Sequence, residues 1–284
     1  MSAPTRLLSD NSKKRPAAVQ VATVQLAVLR AEWTKVHTVP GPAWLLTATA
    51  ALTIAVSTAA DAATRCPRGL ACPVDPARLS LTGIQFGQAV VAVLAVLAVS
   101  GEYSTGMIRT TLTAVPGRTA VLAAKAVVLT GLVLASAAVA VAGCLLAGRL
   151  LLPGHGFTAA RGFAPLSLAD GPVLRAAGGS VLYLVLVALL SLGLATVIRD
   201  AAAAIGSVLG LLYLAPIIAA VLAVSPVWQR RVERYAPMPA GLAIQATTGL
   251  RELPVAPWTG LGVLAAWAAV ALTAAVVALR LRDA

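Results

Sequence analysis

Charged residues are scarce in this chain of 284 residues. Only 11% of the residues are Asp, Glu, Lys or Arg, whereas 59% are hydrophobic, and the mean hydropathy is +0.89. A soluble domain carries about 25% charged residues, which cover its surface. The shortage of charge therefore excludes an ordinary soluble globular protein and predicts a protein that lies in a membrane.

The residue types that carry catalysis and metal binding are also few. His37 and His155 lie far apart with no acidic cluster beside either, and the three cysteines lack the spacing of a four-cysteine metal site. No Gly-x-x-x-x-Gly-Lys-Ser/Thr phosphate-binding loop occurs, so the chain cannot hydrolyse ATP through one. We therefore predict that the chain is not an enzyme and binds no metal or cofactor itself.

Acidic residues are missing from the middle of the apolar segments. Asp61 and Asp200 lie only at the ends of such segments, whereas ion-coupled transporters usually carry an ionisable residue at membrane depth. The paired Asp, Ser/His and metal-ligand arrangements of intramembrane hydrolases are absent there as well. The polar residues that do lie at depth more often make helix–helix contacts than bind substrate; they are Gln85, Gln88, Ser191, Thr196 and Ser207.

What the chain has instead is six long stretches without any charged residue. They cover residues 36–60, 79–101, 126–148, 176–198, 201–229 and 253–279. A helix needs about 20 apolar residues to cross a membrane, whereas the strands of membrane barrels alternate apolar and polar residues. We predict an all-α polytopic membrane protein whose six transmembrane helices lie near 43–60, 82–100, 121–147, 176–198, 202–224 and 259–279.

The orientation follows from the N-terminal region. The first 40 residues contain no signal-peptide core, so we expect both termini in the cytoplasm and the protein in the plasma membrane. In this topology the cytoplasmic segments carry 12 Lys and Arg residues and the outer loops carry 10, a mild agreement with the positive-inside rule. The net charge of +12 favours membrane lipids, and not nucleic acid, as the partner of these basic residues.

The N-terminal region divides into two parts before the first span. Residues 1–18 are polar and basic, which predicts a disordered cytoplasmic tail, and residues 19–284 form the transmembrane domain. From Val19 to Val36 apolar residues recur at helical spacing, which predicts an amphipathic helix that Pro40 ends. This helix lies in the inner membrane interface or packs on another domain; the pattern leaves both open.

Two further features concern pairing. Cys66 and Cys72 fall in the first outer loop, where they form a disulfide or remain two unpaired thiols. The fifth span carries Gly206 and Gly210 in a Gly-x-x-x-Gly pattern, a candidate dimer face that an Ala-rich helix also produces by chance.

Pro216, further along the fifth span, predicts a kink. The long outer segment 225–258 is a short re-entrant or interfacial helix, or a plain Pro-rich loop.

The cytoplasmic segment between the second and third spans has the residue types of a docking surface. Glu102 and Arg109 would share one face of a helix, and Tyr103 is an aromatic of the kind enriched at interfaces. A plain linker is more often Gly/Ser-rich. The composition therefore favours a surface for another protein over a plain loop.

The same segment carries a family resemblance. Its sequence, Glu-Tyr-Ser-Thr-Gly-Met-Ile-Arg-Thr-Thr-Leu from Glu102 to Leu112 followed by Pro116-Gly117-Arg118, resembles the coupling segment of ABC transporter permeases of the type-2 exporter class, the actinobacterial branch above all. Glu32-Trp33-Thr34-Lys35 is similar to the connecting helix of that family. The resemblance covers roughly residues 25–284, with one departure: a single basic residue follows Pro116 where the family usually has two.

The resemblance implies a permease subunit of an ATP-driven exporter. Such a chain pairs with a second permease, identical or related, and docks on a separate cytoplasmic ATP-binding subunit that holds ATP and Mg²⁺. The family implies two sets of contact residues: the coupling helix with Glu102, Tyr103, Gly106, Arg109, Thr111 and Leu112, and the connecting helix 19–38 with Glu32, Trp33 and Lys35. The alternative is a membrane scaffold or the membrane domain of a sensor, without transport.

Overall fold

The computed structural model describes residues 40–67, 72, 74–104, 118–221 and 225–281. Over these ranges the chain consists of helices and the turns between them, without a strand. The tail predicted at 1–18 and the connecting helix predicted at 19–38 lie outside the described residues.

Ten α-helices are found in the described ranges. They are α1 (Pro40–Ala63), α2 (Pro76–Ser80), α3 (Ile84–Ser104), α4 (Arg118–Leu151), α5 (Gly171–Ile198), α6 (Ala201–Leu209), α7 (Ala215–Val221), α8 (Pro226–Tyr235), α9 (Pro237–Leu242) and α10 (Pro257–Leu281). A π-helical turn, Gly210–Leu214, joins α6 to α7, and short 3₁₀ helices cover Leu152–His155, Ala159–Arg161 and Ala243–Gln245.

Six helical segments of the described chain are long and apolar enough to cross a membrane, which confirms the all-α polytopic prediction. They are Gly41–Ala63, Ile84–Gly101, Thr119–His155, Gly171–Ile198, Ala201–Ile218 and Pro257–Leu281. The third span runs beyond the predicted end at 147, through Arg149, whose side chain is exposed. A helix continues past a charged residue because its backbone hydrogen bonds do not depend on the side chain.

Helix α5 lies at the centre of the bundle. It is apolar on every side, the pattern of a buried helix, and it packs against α3, α4, α6 and α10. The side chains of Tyr183, Leu184, Leu190 and Leu192 on α5 are completely buried. Four of the other five spans therefore pack directly on this helix, whereas α1 packs on α3 and α4.

Small residues allow the neighbouring helices to approach α5 and each other closely. A Cβ atom added at Gly193 of α5 would lie 2.6 Å from the carbonyl carbon of Ala271 in α10. At the contact of α1 and α3, a Cβ atom at Gly87 would lie 2.1 Å from Oγ1 of Thr53. Such close approach is how helices associate in lipid, where the hydrophobic effect does not hold them together.

The segment after the fifth span is helical and partly inserted into the bundle. Helix α9 and the 3₁₀ helix Ala243–Gln245 pack against α5 and α10, and Ile244 is completely buried. A Cβ atom at Gly241 would lie 2.7 Å from the ring of Tyr183, twelve residues along α5 from its start. At 1.5 Å per residue this contact lies about 18 Å along α5, so the segment re-enters the bundle.

The fifth span is interrupted near the proline that predicted a kink. Pro216 has no amide hydrogen to give to the preceding turn, and the π-helical turn Gly210–Leu214 ends two residues before it. The irregularity includes Leu212, four residues before Pro216, where the missing amide and the proline ring perturb the helix. Such turns accompany bends in long helices.

Two adjacent glycines of α5 test the packing of the re-entrant segment. A Cβ atom at Gly179 would lie 2.0 Å from Cγ1 of Ile244, whereas none of the surrounding atoms lies within 4 Å of a Cβ atom at Gly178. We expect Gly179→Ala to lower the unfolding free energy by about 1–3 kcal/mol through overpacking. Gly178→Ala is expected to be neutral or to stabilise by about 0.5–1 kcal/mol.

Thermal unfolding of the two purified variants in detergent checks this expectation. Equal melting temperatures for both variants would show that the segment does not pack on α5 at Ile244.

Candidate functional site

The predicted coupling residues lie at and beyond the end of α3. The backbone of Glu102 and Tyr103 belongs to the last turn of α3, which ends at Ser104. The remaining predicted contact residues lie outside the described residues: Gly106, Arg109, Thr111 and Leu112 of the coupling segment, and Glu32, Trp33 and Lys35 of the connecting helix. Their contacts stay predictions.

The end of α3 lies beside the start of α4, and residues 105–117, which separate these helices along the chain, lie outside the described residues. Nζ of Lys125 in α4 donates a hydrogen bond to the backbone oxygen of Ala98 in α3, 3.3 Å away.

Successive spans alternate in direction, so the turn between α5 and α6 lies at this same end of the bundle. There Arg199 adopts a left-handed backbone (φ 65°), and Oδ1 of Asp200 caps α6 by accepting from Ala203 N at 2.7 Å.

The opposite end, which we call the disulfide end, is held by several cross-links. Cys66 and Cys72 form a disulfide bond with their Cα atoms 5.9 Å apart. The amide of Cys66 donates to the backbone oxygen of His155 at 3.0 Å, and Nη1 of Arg161 donates to the backbone oxygen of Cys66 at 2.8 Å. These bonds fasten the end of α1 to the loop that follows α4.

Asp75 joins the loop after the first span to the loop before the last one. Its Oδ1 caps α2 by accepting from the amides of Ala77 and Arg78, at 3.1 and 3.2 Å. Oδ1 also accepts from the hydroxyl of Thr247 at 2.7 Å, and Oδ2 accepts from the amides of Thr247 and Thr248 at 2.5 and 3.0 Å. Hydrogen bonds to an ionised acceptor are stronger than neutral ones, so one carboxylate fixes two segments.

The loop that Asp75 holds is also fastened to α5. Nη2 of Arg175 donates to the backbone oxygen of Ala246 at 2.6 Å, and Nε2 of Gln245 donates to the hydroxyl of Ser180 at 3.3 Å. Segment 245–248 therefore contacts both α2 and α5 through polar atoms. An open cavity of about 460 Å³ lies beside it, and its lining includes the exposed Arg78 and Glu252.

Asp61 lies two residues before the end of α1, as the sequence predicted, but it is completely buried in protein. Its Oδ1 accepts from the hydroxyl of Ser80 at 3.1 Å, and its Oδ2 has no hydrogen-bond partner in the described part of the chain. Nearby, the amide of Gly83 donates to the hydroxyl of Ser57 at 3.0 Å. The start of α3 is thus held against α1 by polar contacts.

A second polar cluster joins three of the spans at membrane depth. The hydroxyl of Tyr183 in α5 donates to Oε1 of Gln88 in α3, and both side chains are completely buried. Tyr213, in the π-helical turn, donates its hydroxyl to the backbone oxygen of Gln85. π-Helical turns occur frequently at functional sites, and here the turn presents a tyrosine to the neighbouring span.

The polar residues predicted to make helix–helix contacts therefore differ in their roles. Gln88 makes such a contact, with Tyr183. Ser191 and Thr196 instead donate to backbone oxygens of their own helix, those of Val187 and Leu192, at 2.7 and 2.8 Å. Hydroxyl groups in membrane helices commonly satisfy themselves in this way.

The candidate dimer face on the fifth span is open. No surrounding atom of the structure lies within 4 Å of a Cβ atom built at Gly206 or at Gly210. The described part of this chain therefore leaves the space beside both glycines unfilled, and their role in a dimer stays a prediction.

Among the described residues, no three or more His, Cys, Asp or Glu side chains lie close enough together to hold a metal ion. A comparison of the chain with models of known protein families and with curated protein sequences finds no match. Support for a function therefore comes from the segment that resembles a coupling helix and from the geometry of the bundle.

The sequence alone does not reveal the role of Asp75. The order Asp75-Pro76 is a recognisable helix start, because Asp is a preferred N-cap and Pro is favoured at the first helical position. That signal identifies the local cap only. Thr247, the second partner, is separated from Asp75 by 172 residues, and no local pattern connects the two.

Asp75→Ala should release the loop at 246–248 because it removes a charged acceptor from both segments. We expect faster hydrogen exchange at the amides of Thr247 and Thr248, and a stability loss of about 2 kcal/mol or more. Asp170→Ala is the matched control, since Asp170 precedes α5 at the N-cap but makes no side-chain capping bond. The same exchange at 246–248 in both variants would contradict the assignment.

Proposed function

We propose that this chain is the membrane permease subunit of an ATP-driven exporter. The observation that supports this most is the location of the Glu102–Leu112 segment. Its first residues form the last turn of a membrane-spanning helix, α3, and the chain continues from there to α4, at the end of the bundle opposite the disulfide. A partner that binds there acts on two spans at once.

The packing of α3 indicates how a displacement of this helix by a bound partner would reach the other helices. Helix α3 contacts α1, α5 and α6, and its Gln88 is hydrogen bonded to Tyr183 of the central helix. Close-packed interiors transmit displacement because they have little free volume. A movement at Ser104 would therefore reach α5 and, through it, the re-entrant segment at the disulfide end.

The energy source in this proposal is a second polypeptide. The sequence carries no phosphate-binding loop, so ATP and Mg²⁺ would be bound by a separate cytoplasmic ATP-binding subunit. A second permease, identical or related, would complete the transport path. The fifth span supports this, because it is among the least buried of the six spans and leaves space beside Gly206 and Gly210.

The proposed orientation places the disulfide end outside the cell and both termini in the cytoplasm of a plasma-membrane protein. Disulfide bonds persist in oxidising compartments and are rare in the cytoplasm, and Cys66 is bonded to Cys72. The segment that resembles a coupling helix then faces the compartment that contains ATP.

The docking proposal is tested with the double variant Glu102→Ala/Arg109→Ala. We expect about tenfold or greater loss of the ABC ATP-binding subunit that copurifies with the tagged full-length chain, because truncation of two charged contacts removes more than about 1.4 kcal/mol. Quantitative mass spectrometry of the purified complex measures the ratio. The control is Arg251→Ala/Glu252→Ala, which removes the same two charge types from exposed positions at the disulfide end.

Unchanged copurification in the Glu102/Arg109 variant, together with unchanged ATP-dependent export, would reject the docking proposal. The complete absence of an ATP-binding subunit from the wild-type complex would favour the alternative, a membrane scaffold or the membrane domain of a sensor.

The orientation is tested by thiol labelling of intact cells. After reduction with a membrane-impermeant reagent, we expect an impermeant maleimide to label Cys72, which is partly exposed, from outside, whereas Cys66 is itself buried. Cys144 should stay unlabelled because it is completely buried in the bundle. The control Cys66→Ser/Cys72→Ser should show no labelling, and labelling of the wild type only in inverted vesicles would reverse the topology.

A further inference from the structure

Helix α8, at the disulfide end, carries a concentration of exposed positive charge. Its sequence is Pro-Val-Trp-Gln-Arg-Arg-Val-Glu-Arg-Tyr, and Arg230, Arg231 and Arg234 are all exposed. We call these three residues the basic strip. None of them has an ion-pair partner in the described chain; Arg234 lies over the ring of Tyr235, 5.9 Å from its centroid.

The basic strip occupies one side of α8. Successive residues of an α-helix are rotated by about 100°, so the three arginines fall within a sector of roughly 100°. The half-buried Gln229 and Val232 mark the opposite side, which faces the protein. Trp228 and Tyr235 lie along one edge of the basic strip and are more than half exposed.

The end of α8 is fixed beside a membrane-spanning helix rather than above it. Nε1 of Trp267 in α10 donates to the backbone oxygen of Tyr235 at 3.0 Å. Trp267 is ten residues from the start of α10, which corresponds to about 15 Å along the helix. The end of α8 therefore lies beside α10 and not in the water beyond it, and the basic strip lies between this contact and the start of α8.

Exposed arginines on a helix beside a membrane span need an anionic partner, and the lipid headgroups can supply one. The planar guanidinium group binds phosphate through two parallel hydrogen bonds, and its long stem allows it to reach the headgroup level. Trp and Tyr are enriched at the same level. Amphipathic helices with a basic polar face bind anionic lipids in this way.

We propose that α8 is a binding site for anionic phospholipid in the leaflet at the disulfide end. The basic strip binds the headgroup phosphates, and Trp228 and Tyr235 lie against the start of the acyl chains. The proposal requires the membrane-spanning fold but does not depend on transport, on an ATP-binding partner or on which side of the membrane the disulfide end faces.

The test measures lipid retention by the full-length chain. The protein is reconstituted into vesicles of phosphatidylcholine and phosphatidylglycerol in equal parts, extracted with mild detergent, and analysed by native mass spectrometry. We expect the wild type to retain phosphatidylglycerol in preference to phosphatidylcholine. Arg230→Gln/Arg231→Gln/Arg234→Gln should reduce the retained phosphatidylglycerol by about fivefold or more, since each charge near a membrane surface contributes about that factor.

Two further variants distinguish the contribution of the basic strip from that of the total positive charge at the disulfide end. Arg65→Gln/Arg78→Gln/Arg251→Gln removes three exposed arginines from the same end but none from α8, and we expect it to retain phosphatidylglycerol as the wild type does. Replacement of the basic strip by three lysines should preserve most of the preference, because lysine keeps the charge. An equal loss in the two Gln variants would overturn the proposal.

Two measurements on the wild type test the same proposal without relying on a variant that folds. Raising the salt concentration during extraction should lower phosphatidylglycerol retention, because salt screens exposed charges. Inorganic phosphate at equal ionic strength should displace no more lipid than chloride does. Equal retention of both lipids, or displacement by inorganic phosphate specifically, would overturn the proposal; the second result would assign a soluble anion to the basic strip.

Discussion

Close contact between small residues of α5 and its neighbours is the constraint on which the other features depend. Apolar side chains gain little by leaving lipid for protein, so helices in a membrane associate through shape and through hydrogen bonds. Gly193 admits the backbone of Ala271, and Gly179 admits the side chain of Ile244. The position of α10 and of the re-entrant segment therefore follows from the places where α5 has no side chain.

The polar groups of the bundle occupy the same contacts. Tyr183 bonds to Gln88 in the middle of α5, and Arg175 bonds to the backbone of Ala246 near the start of the same helix. In a medium of low dielectric constant such bonds are strong, and an unmatched polar group is costly. Packing thus decides which helices meet, and these hydrogen bonds decide how they are aligned.

The spans could be predicted from the sequence because membrane crossing is a local property. Length and the absence of charge suffice, and all six helices follow from them. The bonds of Asp75 and Tyr183 could not be predicted, since each partner lies far away along the chain and neither pair leaves a local pattern. The disulfide was one of two alternatives that the spacing left open. The coupling residues Gly106 to Leu112 lie outside the described residues, so their part of the site remains a sequence prediction.

The carboxylate of Asp75 also has a consequence for how the chain is made. As the ribosome extends the protein, Asp75 can cap α2 early, because Ala77 and Arg78 follow at once. Its bonds to Thr247 and Thr248 form only after five spans have been synthesised. Contacts between distant residues assemble slowly. The loop between the first two spans therefore reaches its final partners among the last events of biogenesis.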